Sequence, residues 1–64
     1  MKYVITGEDL NGQSLYWNGI NKGWYINQYD ATFFDDVNKA DTECYIAEQT
    51  ITVEGVSNVH FIKV

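Results

Sequence analysis

The chain holds one thiol, Cys44, and one imidazole, His60. Nucleophilic catalysis needs a nucleophile, a base and a third group that orients the base. Cys44 recurs with Val37, Ala40 and Ala47 at three- and four-residue steps. On such an apolar helical stripe a thiol behaves as a small inert hydrophobe. His60 alternates with Phe61 in a strand-like run and has no second histidine with which to share a metal. Structural roles outweigh a Cys–His dyad, so no catalytic residue is assigned and the chain is not expected to be an enzyme.

Carboxylates are the other groups that could do chemistry. They pair at Asp35-Asp36 and at Asp41/Glu43. General acid–base work needs at least one carboxyl in a dry cleft with a raised pKa. A 64-residue chain leaves little room for one. A calcium loop alternates oxygen ligands around a central glycine, and Asp35 to Glu43 contains no glycine. These acids are read instead as the cap and solvated face of a helix. The Gly19 to Gly23 stretch is turn chemistry and not a phosphate loop, because no Lys-Ser/Thr helix start follows it. A single cysteine rules out an intrachain disulfide and any zinc site built on paired cysteines. No metal and no cofactor are expected.

Nine acids against four lysines, with no arginine, give a formal charge of −5. Affinity for nucleic acid comes largely from cations that replace counterions, so direct nucleic-acid binding is not expected. The acidity is concentrated in Asp30, Asp35, Asp36, Asp41, Glu43, Glu48 and Glu54, which Lys39 alone offsets over that stretch. The opening Met1 to Thr6 is too short an apolar run for a signal peptide, and glycine and asparagine break the longer uncharged segments. No membrane segment is expected. Together with the lone thiol, this points to a cytoplasmic protein.

The elements that would position these groups follow from periodicity. One domain is expected over 1–64. Lys2 to Thr6 reads as a first strand, with a turn at Gly7 and Asp9 to Gly12. Gln13 to Asn18 and Gly23 to Gln28 form a hairpin around Asn18-Gly19 and Lys22-Gly23, pairs suited to positive φ. With Trp17 opposite Trp24, Tyr16 faces Tyr25 and Leu15 faces Ile26. Alternation then puts Leu15, Trp17, Trp24 and Ile26 toward the core and Tyr16 and Tyr25 on the opposite face.

Ala31 and Phe34 are read as one helical turn opened by Asp30. A helix is placed at about 36–48 with Asp35 or Asp36 as its cap, and an additional short strand over 50–54 is left open. Asn38, Thr42, Glu43 and Ile46 are expected on the outward face of that helix, with Asp41 and Glu48 at the margins of its stripe. Val59 to Val64 is the last strand, after a turn at Gly55 to Asn58. The fold class is α+β: a small, mainly antiparallel β-β-β-α-β sheet with one helix packed on one face. A helical crossover that set the last strand beside the first would make those two parallel.

The opening Lys2-Tyr3-Val4-Ile5, then Leu15-Tyr16-Trp17, Gly23-Trp24, Ala31-x-x-Phe34 and Ala40 resemble a loose group of very small bacteriophage and prophage proteins. Their pattern is a strand meander, a "GW" strand, an "A-x-x-F" turn and a short helix, and the likeness covers about the first 48 residues. The resemblance implies a protein that binds and blocks a host protein, defence systems included. The chain departs from the pattern in its acidity and over 50–58, so no functional residue carries over.

The leading expectation is a non-catalytic, phage-encoded interaction protein that binds and inhibits a host protein. Its contact residues are read as Tyr16, Tyr25, Asp41, Glu43 and Ile46. Two alternatives stand beside it. One is an acidic mimic of nucleic acid that blocks a nuclease channel. The other is a small structural or accessory subunit that acts as a homo-oligomer through an open sheet edge.

Overall fold

The computed structural model describes residues 1–49 and 55–64. Four strands, β1 (Tyr3–Glu8), β2 (Ser14–Asn18), β3 (Gly23–Tyr25) and β4 (Ser57–Lys63), form one antiparallel sheet in the order β3-β2-β1-β4. Among the described residues one α-helix, α1 (Val37–Gln49), packs on one face, as the α+β reading requires. The expected strand over 50–54 lies outside the described residues.

Each hairpin is closed by a side chain. The Asp9 carboxylate accepts from the N–H groups of Asn11 and Gln13 at 2.8 and 2.9 Å, and Gly12 takes φ 81°. The Asn18 amide oxygen accepts from Ile20 and Asn21, and Lys22 rather than a glycine supplies the positive φ of that loop. The register is Trp17 opposite Trp24 and Tyr16 opposite Tyr25. β3 stops at Tyr25, so Leu15 gains no partner in Ile26, which is 67% exposed and outside the core. The Asn27 side chain instead caps a short 3-10 turn at Gln28–Asp30. Gly7 does not turn the chain. It is buried within β1, where an added Cβ would stand 2.6 Å from a Val56 methyl.

The expected helical turn at Ala31 and Phe34 is extended backbone. Phe34 exchanges both backbone hydrogen bonds with Tyr3, at 2.7 and 2.9 Å. This bridge occupies the start of β1, beyond the last β1–β2 pair. It also corrects the expected parallel pairing, because β1 and β4 are antiparallel. The segment after β3 carries the chain back to the Tyr3 end of the sheet before α1 begins. The helix therefore climbs from that end, and β4 descends from Ser57 opposite Glu8 to Lys63 opposite Tyr3. One extra traverse reverses the direction of the last strand.

Asp36 is the helix cap: its side chain accepts from Asn38 N–H at 2.8 Å. Ala40, Cys44 and Ala47 are buried as their spacing predicts, but Val37, the first residue of the helix, is exposed. Ile5, Trp17, Cys44 and Ala47 form the core, with Trp24, Phe34, Val59 and Phe61 packed against it.

Candidate functional site

Strand alternation assigns every sheet residue to a face. Ile5, Trp17, Trp24 and Phe61 point under the helix. Val4, Thr6, Tyr16, Tyr25, His60 and Ile62 therefore share the opposite face, where Val4 lies across from Ile62 and Thr6 lies between Tyr16 and His60. No described element covers this open face. Within it Val4 is fully buried and Thr6 is 7% exposed. The Thr6 hydroxyl is satisfied by the Leu15 carbonyl at 2.8 Å. The Tyr3–Phe34 bridge, continued by one residue, sets Phe33 beside Val4, and Phe33 is 41% exposed.

Tyr16 and Tyr25 are a directly opposed cross-strand pair, each half-buried. The Asn21 side-chain amide donates to the Tyr25 hydroxyl and fixes that ring over the β2–β3 loop. The face thus carries two tyrosines on β2 and β3, with Phe33 and Ile62 on the same side of the sheet. Large amphipathic rings held in one conformation lose little entropy on contact, which suits them to binding another protein.

The acidic candidates are arranged differently from the expected outward row. Asn38 and Thr42 are exposed, but Glu43 is turned inward. Its carboxylate accepts from the Trp17 indole Nε1 at 2.9 Å. It also sits so close over Gly19 that an added Cβ there would collide with it. Ile46, one turn on, is half-buried on the same flank of the helix. The reason is the helix's rotation: the Ala40–Cys44–Ala47 stripe faces the sheet, and Glu43 and Ile46 border it above β2. Asp41 is exposed on the other flank. Tyr16 and Tyr25 lie on one side of the sheet, with Asp41, Glu43 and Ile46 on the other, so the five sequence candidates do not form one surface.

Cys44 and His60 are also separated by the sheet. Cys44 is buried under the helix, and burial, reinforced by Asp41, Glu48 and Glu43, pushes its thiol from the ordinary 9.0 up to about 11. His60 is exposed on the open face, with its Nδ1 2.7 Å from the Asn58 carbonyl oxygen. Among the described residues there is no ligand-sized cavity and no cluster of three or more His, Cys, Asp or Glu side chains. No helix among them is long and apolar enough to cross a membrane.

Sequence reading did not name Val4, Phe33 or Ile62 as parts of the open face. The signal for Ile62 was present in its alternation with Phe61. Phe33 could be placed only once Phe34 was known to pair with Tyr3. Comparison with protein-family models, curated proteins and solved structures finds no match.

Proposed function

We infer that the chain is a protein-binding module, phage-encoded, that docks a bacterial host protein on the open face of its sheet and inhibits it in the host cytoplasm. The observation that carries this reading is the opposed Tyr16–Tyr25 pair on a face that no described element covers. Phe33 and Ile62 add further apolar side chains to the same face. The phage origin and the host target rest on the resemblance of the Lys2–Ile5, Leu15–Trp17, Gly23-Trp24 and Ala31-x-x-Phe34 segments to small phage proteins. The cytoplasmic setting is supported by the unpaired, buried Cys44.

The alternative of nucleic-acid mimicry needs a continuous array of surface carboxylates. Glu43 is withdrawn from any such array by its bond to Trp17, which favours the aromatic face.

The test begins by capturing partners from bacterial lysate with the wild-type chain and with a Tyr16→Ala/Tyr25→Ala variant shown to be folded. A partner retained by the wild type and lost by the variant is the expected result. Equal retention by both removes the open face from the function.

A further inference from the structure

The order β3-β2-β1-β4 makes β4 a terminal strand, and among the described residues no strand pairs with its outer side. The backbone groups that face outward follow from the ladder. Val64 N–H donates to the Lys2 carbonyl at 2.8 Å, which makes that pair a hydrogen-bonded position. Alternation makes Val4/Ile62 and Thr6/His60 the next ones. Tyr3 agrees with this phase, since its N–H and C=O both pair with Phe34 on the other side of β1. The N–H and C=O groups of Phe61 and Lys63 therefore point to the open edge.

Edges of this kind are guarded in many proteins by proline, bulges or inward charges. β4 has an irregularity only at its start, where Asn58 takes φ 55° and the register shifts opposite Thr6 to Glu8. Its outer half carries no proline, and its one formal charge is Lys63 at the end.

The helix indicates what this edge accepts. The Glu43–Trp17 bond fixes one flank of α1 above β2. At about 100° per residue, Asp41 and Glu48 lie about 140–160° around the helix from Glu43. That places these two exposed acids on the flank toward β4, one turn and three turns in from the helix start. A second copy pairing edge to edge about a two-fold axis would set both helices antiparallel on one side of the sheet, with their acidic Asp41 and Glu48 flanks facing each other. Like charges oppose that pairing, and opposite charges favour a basic one.

We propose that β4 accepts an extended segment of another protein as a fifth strand, paired through Phe61 and Lys63. Lysine or arginine at alternate positions of that segment face Asp41 and Glu48. This is β-augmentation, with main-chain bonds supplying affinity and the helix flank supplying specificity. It does not depend on the tyrosine face.

Residue-resolved amide exchange on the full chain tests it. The probe is an end-blocked peptide of alternating lysine and valine. Controls are an alternating glutamate and valine peptide, and the lysine peptide N-methylated at its pairing residues. The lysine peptide is expected to slow exchange at Phe61 and Lys63 by about tenfold or more, a little over one kcal/mol. The effect should vanish with either control peptide and in Asp41→Lys/Glu48→Lys, and should persist in Tyr16→Ala/Tyr25→Ala. Three results would overturn the proposal. One is protection of both amides in the free chain at low concentration, because the edge is then already covered or self-paired. The others are no slowing with the lysine peptide, and equal slowing with its N-methylated form.

Discussion

The Trp17 indole Nε1 donates to the Glu43 carboxylate at 2.9 Å across the interface between β2 and α1. Its cross-strand neighbour Trp24 packs against it with ring centroids 5.2 Å apart, yet the Trp24 Nε1 is buried with no hydrogen-bond partner among the described residues. A buried donor left unpaired costs about 1–3 kcal/mol, and a bond to a charged acceptor contributes about as much. The two tryptophans therefore respond unequally to loss of the indole nitrogen. Trp17→Phe is expected to destabilise the domain by about 2 kcal/mol or more, because it removes the bond and strands the Glu43 carboxylate. Trp24→Phe is expected to cost about 1 kcal/mol or less. Urea unfolding of both variants measures the difference, and a larger loss for Trp24→Phe would contradict this pairing.

Gly7 fits its strand only because it lacks a side chain. An added Cβ would stand 2.6 Å from Val56 Cγ1 and 3.1 Å from the Ser57 carbonyl oxygen. Gly7→Ala is expected to cost about 1–3 kcal/mol by overpacking. In a Val56→Ala background the added penalty should shrink, since the methyl it meets is gone. Additive costs in the double variant would show that the clash is not with Val56.

The cap at Asp36 is a separable contribution. Asp36→Ala removes the acceptor for Asn38 N–H and is expected to cost about 1 kcal/mol, with Asp36→Asn close to wild type. Equal losses for the two variants would assign the effect to charge rather than to the hydrogen bond.

The thiol of Cys44 provides a pH-dependent readout. Because its pKa is raised in the folded chain, the folded state holds the proton where the unfolded state has lost it. The associated stability is complete below about pH 9 and is lost as pH rises toward about 11. Alkylation should be slow in the native state near neutral pH and fast in denaturant. Cys44→Ala should lose less stability than the wild type across that alkaline window. Fast native labelling would show that Cys44 is accessible.

The parts of the fold that were legible in the sequence are those set by local periodicity. The Trp17–Trp24 register followed from alternation around a glycine-and-asparagine loop, and the Ala40–Cys44–Ala47 stripe from helical spacing. The direction of β4 was not legible, because it depends on a long-range bridge between Tyr3 and Phe34 that no local pattern announces. The Ala31–Phe34 spacing is equally compatible with a helical turn and with an extended segment. Glu43 was misplaced for a related reason: a carboxylate beside the stripe reads as solvated until an indole donor is known to lie beneath it. Tyr16 and Tyr25 were correctly set opposite the tryptophans, but the share of Phe33 and Ile62 in their surface required the sheet order.

Binding of the proposed host target is assigned to the open face, separately from any basic segment accepted at the β4 edge. Partner affinity at low and high salt, for Tyr16→Ala/Tyr25→Ala and for Asp41→Lys/Glu48→Lys, tests it most directly. Desolvated aromatic contacts dominate a conventional interface, while rim charges mainly tune the rate of encounter. The tyrosine variant is therefore expected to lose about 2 kcal/mol or more of binding, about thirtyfold in affinity, with little dependence on salt. The lysine variant is expected to change affinity only a few-fold, more at low salt than at high salt. Wild-type affinity in the tyrosine variant, with binding abolished by the lysines or by salt, would instead place target binding on the helix.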